Sequence, residues 1–258
     1  MKIKFEKYES GGNDFVLIDN RNKLYDLNSD KIKKICTRNF GVGSDGLIIL
    51  KNSKIADFKM IYYNSDGQSS SLCGNGTRCL FSFTLSLGII EKTAKIETSE
   101  GIYIATISNR NLVSLKMKNI DDVFLFDNKA YLNSGSPHHI EMIEDLNKIS
   151  VKKLGSSIRF SSRYSPNGTN VNFFNKINDK KFEIRTYERG VEDETLSCGT
   201  GATAVAIAVH AMGLTTQSEI IIQTKGGELI ISFETSATGY KNICLEGPTR
   251  FVFKGEYQ

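Results

Sequence analysis

Apolar and polar positions along the chain fall into two similar series. From Phe58, FKMIYYNSDG alternates like a strand with one buried face, and from Phe182, FEIRTYERG does the same. Each stretch runs through a tyrosine into a polar residue, Asn64 or Glu188, and leads on to Cys-Gly-x-Gly, headed by Cys73 or Cys198. Behind the second turn, ATAVAIAVHAMG is apolar almost all round, the pattern of a helix enclosed by other structure. The segment behind Cys73 is similar, though Arg78 and several serines interrupt it. Gly88 and Gly213, each fifteen positions after its cysteine, read as helix C-caps. Each series closes on a strand pair around a glycine turn, AKIETSEGIYIATI from Ala94 and EIIIQTKGGELIISF from Glu219.

A shift of about 125 positions superposes the two series, so the chain reads as a duplicated unit. A weaker echo pairs Gly-Gly-Asn-Asp at 11–14 with Gly-Ser-Pro-His at 135–138, which places His138 in a loop. The expected fold class is α+β: two pseudo-symmetric domains, each a mostly antiparallel sheet or barrel wrapped around a central helix. The halves are expected at 1–118, completed by 248–258, and at 119–247.

Composition narrows the function classes. Of 258 residues, 40% are hydrophobic and 24% charged, ordinary for a folded protein, and the net charge of +4 is scattered. Nothing in it argues for nucleic acid or membrane binding. No apolar run approaches the roughly 20 residues of a bilayer span. The charged start, MKIKFEKYESGGND, has no apolar signal core, which points to the cytoplasm. Five cysteines in no dense pattern argue against a disulfide scaffold, and three histidines without Cys-x-x-Cys argue against zinc. GVGSDG at 41–46 lacks the lysine and frame of a phosphate loop. Cys36, Cys79 and Cys244 stand outside the repeat and are expected to pack in the core; His139 and His210 are expected to be structural.

A cysteine at a helix start has particular chemistry. The first N–H groups of a helix lack internal partners and carry partial positive charge. They favour a thiolate and offer donors to a carboxylate, and flanking glycines let a ligand approach the backbone. Two such turns acting on one amino acid carboxylate suit stereoinversion. One sulfur removes the α-proton, the other returns a proton to the opposite face, and the helix donors stabilise the developing charge. No cofactor and no metal is required.

The segments GGNDFVLIDN (11–20), GVGSDGLIIL (41–50), NSDGQSSSLCGNGTRC (64–79), GSPHHI (135–140), GTNVNFF (168–174) and RTYERGVEDETLSCGTGAT (185–203) resemble the diaminopimelate epimerases, cofactor-independent two-cysteine enzymes. The resemblance runs over nearly the whole chain. It implies interconversion of LL- and meso-2,6-diaminopimelate for lysine and peptidoglycan precursors, with a small-molecule substrate and a homodimer as the common assembly. It implies that Cys73 donates and Cys198 accepts the proton from the LL side, and that the roles swap in reverse. Gly74 and Asn75, with Gly199 and Thr200, would donate to the reacting carboxylate. Asn13, Asn64 and Asn170 would hold polar groups of the substrate. Glu188 and Arg189 would read its distal amino acid end, Arg189 by a planar two-point contact. His138 and Glu188 would support the protonation states of the cysteines.

Four places depart from the commoner family pattern. Ser136 stands where many members have Asn, with shorter reach toward substrate. Gly46 stands where some carry a Gln, Gln68 to Ser71 replace a stretch that often includes Glu, and GVEDET is one residue longer than GVGET. Alternatives are a proline or hydroxyproline racemase of the same mechanism, against which Glu188 and Arg189 speak, an isomerase branch of this fold that lacks the cysteine pair, and a non-catalytic amino acid binding protein.

Overall fold

Among the described residues, the two periodicities resolve into seventeen strands and four α-helices. The structure, a computed structural model, describes residues 2–69 and 73–258. Residues 70–72 lie outside it, so the departure at Gln68 to Ser71 is described only as far as Ser69. The chain divides into two units, Met1–Leu115 with Gly247–Gln258, and Lys116–Glu246.

The first series holds β1 (Ile3–Ser10), β2 (Asn13–Asp19), α1 (Ser29–Cys36), β3 (Gly46–Lys51), β4 (Phe58–Asn64), α2 (Gly74–Ser86), β5 (Thr93–Thr98), β6 (Gly101–Ile107) and β7 (Val113–Lys116). The second holds β8 (Val123–Phe126), β9 (Lys129–Asn133), β10 (Pro137–Met142), α3 (Val151–Arg159), β11 (Asn170–Lys176), β12 (Lys181–Glu188), β13 (Asp193–Thr195), α4 (Gly199–Ala211), β14 (Glu219–Thr224), β15 (Gly227–Ser236) and β16 (Gly239–Gly247). The chain ends on β17 (Arg250–Tyr257), which returns to the first unit.

Strand directions repeat step for step. In the first unit, β17, β1 and β2 pair antiparallel, β2–β3 parallel, β3–β4 antiparallel, β4–β5 parallel, and β5, β6 and β7 antiparallel. In the second, β8, β9 and β10 pair antiparallel, β10–β11 parallel, β11–β12 antiparallel, β12–β14 parallel, and β14, β15 and β16 antiparallel. Each unit is therefore α+β and mostly antiparallel. Its parallel steps fall where a helix supplies the crossover, α1 and α2 in one unit, α3 and α4 in the other.

Each sheet is covered on both faces. α1 lays Ile32, Ile35 and Cys36 on Val16, Ile18, Leu47 and Ile49, while α3 lays Val151 on Val171, Phe173 and Tyr187. These helices are short, and side-chain caps start them: Asn28 Oδ1 accepts from the Lys31 N–H at 3.0 Å, and Ser150 Oγ from the Lys153 N–H at 3.3 Å. The long helices α2 and α4 are buried. Val205, Ile207 and Val209 have no exposure, and each contributes about 1.5–3 kcal/mol by burial. Both long helices end in the same way. Ile89 N–H donates to Thr84 O and Gly88 N–H to Leu85 O; Leu214 N–H donates to Val209 O and Gly213 N–H to His210 O, all at 3.0 Å. This double bond needs a residue of positive φ, which Gly88 (+68°) and Gly213 (+71°) supply.

Three expectations change. His138 is not in a loop: it lies in β10, between β9 and β11, and its side chain is fully buried between Asn172 and Thr200 of α4. The weaker echo slips by one residue. Phe15 pairs with Gly46 and His138 with Asn170, so the sheet makes Phe15, not Asp14, the counterpart of His138. Cys36 and Cys79 are buried, but Cys244 is only partly so, at a position of β16 outside the core.

Candidate active site

Each unit presents one cysteine at the N-cap of its buried helix. Cys73 and Cys198 have extended backbone, φ −108° and −123°, so each thiol stands just before the first helical turn. The surroundings of the two sulfurs differ.

Cys73 Sγ accepts from the Gly76 N–H at 3.5 Å, and its S–H donates to Asn13 Oδ1 at 3.7 Å. Asn13 is held from behind, since its Nδ2 donates to Asp45 Oδ2 at 2.6 Å, an oxygen that also accepts from the Asp14 N–H at 3.1 Å. A carboxylate can only accept, so Asn13 must turn its oxygen toward Cys73. Arg38 bridges Asp14 and Asp45 at 2.8 and 2.9 Å, and Lys7 closes the cluster on Asp14 at 2.9 Å. Burial raises the Asp14 carboxyl, but Arg38 and Lys7 outweigh it and hold it at about 2.

Gly74 opens α2 and Asn75 follows, buried, its Oδ1 accepting from Arg78 Nη2 at 2.6 Å. Arg78 is the surprise of this helix. It has no exposure; Nη2 also reaches Ser10 Oγ at 2.8 Å, while Nε and Nη1 find no acceptor among the described residues. Burial pulls its guanidinium below the ordinary range. Asn64 ends β4 opposite Gly46. A side chain at Gly46 would strike the Tyr62 ring, 2.5 Å from the ideal Cβ, so Tyr62 fills the space the glycine leaves.

In the second unit, Cys198 is buried, with Thr200 Oγ1 3.5 Å from its sulfur. Thr200 Oγ1 lies 3.0 Å from His138 Nε2, and Ser134 Oγ donates to the Thr200 carbonyl at 2.7 Å. Gly199, the first residue of α4, receives the Thr203 hydroxyl on its carbonyl at 3.0 Å. Burial, with Arg189 as a second cause, lowers His138 to about 3, so the ring is neutral. Glu188 closes β12, and burial pushes its carboxyl up.

Asn170, Arg189 and Ser136 form one cluster. Asn170 Oδ1 accepts from the Arg189 N–H at 2.9 Å, and its Nδ2 donates to Ser136 Oγ at 2.9 Å and to Pro137 O at 3.0 Å. The Arg189 guanidinium donates to Ser136 Oγ at 3.3 Å and to Asn167 O at 3.2 Å. Ser136, short as it is, thus orients both. The longer GVEDET turn is built around Glu192, φ +58°, whose carboxylate accepts from the Tyr187 hydroxyl and from Arg159, both at 3.1 Å.

Sequence reasoning missed Asn172, Thr186, Asp45 and the burial of Arg78. One signal was present: Asn170 and Asn172 are two apart in a strand and share a face.

The geometry can be set beside known proteins. The Diaminopimelate epimerase family matches residues 5–120 and 130–252. The chain belongs to this family. The diaminopimelate epimerase of Flavobacterium psychrophilum is 48% identical over 253 residues, covering 98% of this chain and 99% of that one. The diaminopimelate epimerase of Aquifex aeolicus is 37% identical over 273 residues, with coverage of 98% and 97%. Among solved structures, a Bacillus anthracis phenazine biosynthesis protein of the PhzF family has a TM-score of 0.79 at 15% identity, covering 100% of this chain and 99% of that one. A hydroxyproline epimerase from Agrobacterium vitis has a TM-score of 0.65 at 15% identity, covering 99% and 91%. At such identity these two share the fold alone with this chain. Among the described residues, no helix is long and apolar enough to cross a membrane.

Proposed function

We propose that this chain interconverts LL- and meso-2,6-diaminopimelate by a two-base mechanism, with Cys73 and Cys198 as the acid/base pair. The observation that carries the reading is the duplicated N-cap cysteine, one on each buried helix, in a member of the diaminopimelate epimerase family. A thiolate takes the α-proton and becomes a thiol; the other thiol gives its proton to the opposite face of the same carbon and becomes a thiolate. Charge and protons balance, and the enzyme is left poised for the reverse direction. From the LL isomer, Cys198 is the acceptor and Cys73 the donor.

Backbone donors at Gly74, Asn75, Gly199 and Thr200 stabilise the carboxylate as the carbanion forms, as helix starts do for anions. Asn13, Asn64 and Asn170 hold polar groups, and Glu188 with Arg189 reads the distal ammonium and carboxylate. The cluster around Asn170 supports this role for Arg189, because it fixes the approach of the guanidinium. His138 and Glu188 tune the thiols. The enzyme works in the cytoplasm, as a homodimer, in lysine and peptidoglycan precursor synthesis.

Proton NMR of LL-diaminopimelate in D2O with the reduced protein tests the reading. Loss of an α-proton signal with appearance of the meso isomer is the expected result. Exchange with proline or hydroxyproline instead would move the chain to a racemase function, and no exchange with any of them would favour a binding protein.

A further inference from the structure

Asn172 is fully buried on β11, and its carboxamide reaches three groups. Nδ2 donates to the His139 carbonyl at 3.1 Å, and Oδ1 accepts from the Thr186 hydroxyl at 2.9 Å. A carbonyl can only accept, so the amide has one orientation. The same Nδ2 lies 3.0 Å from His138 Nδ1. That ring nitrogen faces an N–H group, so it is the acceptor and carries no proton. The proton of the neutral ring is then on Nε2, 3.0 Å from Thr200 Oγ1. Nε2–H donates to the hydroxyl oxygen, and the hydroxyl's own hydrogen is left for Cys198 Sγ, 3.5 Å away.

We propose that Asn172 is a positioning residue: it sets the tautomer of His138 and so turns the Thr200 hydroxyl into a hydrogen-bond donor to the Cys198 sulfur. The chain runs one way, from Thr186 through Asn172, His138 and Thr200 to sulfur. A donated hydrogen bond favours the charged form of its acceptor, so this arrangement stabilises a thiolate at Cys198 over a thiol. A second observation ties Asn172 to the cysteine. A Cβ built on Gly201 would lie 2.5 Å from Asn172 Oδ1 and 3.3 Å from Cys198 Sγ, so the amide and the sulfur border the same glycine. The inference rests on the reading of Cys198 as an acid/base group, and its test is independent of turnover.

Long-range proton–nitrogen NMR of the histidine-labelled protein at neutral pH, with His138 assigned through His138→Gln, reads the tautomer directly. The expected pattern is an unprotonated Nδ1 and a protonated Nε2. A proton on Nδ1 overturns the proposal. Asn172→Asp should invert the tautomer, because a carboxylate must accept from Nδ1; an unchanged ring would also overturn it. In a Cys73→Ala background, iodoacetamide alkylation of Cys198 at fixed pH should slow roughly tenfold in Thr200→Val, the size of about one pKa unit, and recover in Thr200→Ser. Equal rates in all three would refute the donor role even if the Asp variant fails to fold. Absence of α-proton exchange with the expected tautomer would sink the epimerase reading alone, and exchange with the opposite tautomer would sink this one alone.

Discussion

Gly76 and Gly201 occupy the same place in α2 and α4, yet they face different walls. A Cβ on Gly76 would meet Ile48, Phe15 and Met60; a Cβ on Gly201 would meet the Asn172 carboxamide and Cys198. The sheet registers make the substitution explicit. Ile48 pairs with Tyr62, and its counterpart Asn172 pairs with Thr186. Phe15 stands where the other unit has His138. One wall is apolar and aromatic, the other a continuous hydrogen-bond chain. The duplicated backbone fixed the helix start and its glycines, because the cysteine turn needs them, and left the supporting wall free to diverge. The outcome is a different set of side-chain partners at the two sulfurs. Asn13, turned by Asp45, offers Cys73 an acceptor, and Thr200 offers Cys198 a donor.

The largest test sets chemical equivalence against this structural difference. Cys73→Ala and Cys198→Ala should each reduce epimerisation by at least about a thousandfold, since a general acid or base is worth some 10²–10⁴-fold and inversion needs both. Near-normal turnover in either variant would break the two-base reading. Exchanging the walls comes next. Ile48→Asn removes a buried aliphatic chain and buries an unpartnered amide, an expected loss of about 3–5 kcal/mol in urea unfolding. Asn172→Ile strands His138 and Thr186 but adds apolar volume, for an expected loss of about 1–3 kcal/mol. Equal losses would mean the walls are interchangeable. The glycines give a finer contrast. Gly201→Ala presses on an amide held by hydrogen bonds and should cost about 2–3 kcal/mol, while Gly76→Ala meets the end of Ile48, which can move, and should stay within about 1 kcal/mol after the gain in helix propensity. The reverse order would overturn the assignment of the walls.

Acid should separate the units as well. His138 is lowered to about 3 from 6.5, so the folded state binds fewer protons there than the unfolded chain. The stability it confers is present above pH 6.5 and is lost as pH falls toward 3. Asp14, at about 2 against 3.8, keeps its contribution until the range 3.8 to 2. Glu188, raised by burial, works in the opposite sense, so the measurement is a difference. The melting temperature of wild type minus that of His138→Gln should shrink between pH 6.5 and 3. Hydrogen exchange at pH 4 should increase in the second unit before the first. A difference independent of pH would contradict a buried neutral His138.

The frame was legible because its signals are local. Strand alternation from Phe58 and Phe182, the apolar run of α4 and the closing glycines Gly88 and Gly213 each sit within a few residues of what they determine. The fold class followed from them, and the family from the motif segments around the two cysteines, Asn13, His138 and Asn170. The short helices α1 and α3 escaped although Asn28 and Ser150 mark their starts, because helices of this length are marginal without the sheet beneath them. Asn172 and Thr186 carry no local signal of their role, because only the register of β10, β11 and β12 brings them against His138. The burial of Arg78 was not legible for a similar reason: its partners Ser10 and Asn75 come together with it only in the fold.

The strand β17 has a consequence for the independence of the two units. It pairs with β1 along most of its length, and Pro248 and Thr249 just ahead of it accept or share hydrogen bonds with Ser10 and Ser82. The first half of the protein is therefore stitched from both ends of the polypeptide, whereas the second is contiguous from Lys116 to Glu246. The first unit therefore cannot cover its β1 edge from its N-terminal segment alone: a version of that unit without residues 250–257 would expose a strand edge, whereas the second unit carries all its strands in one stretch.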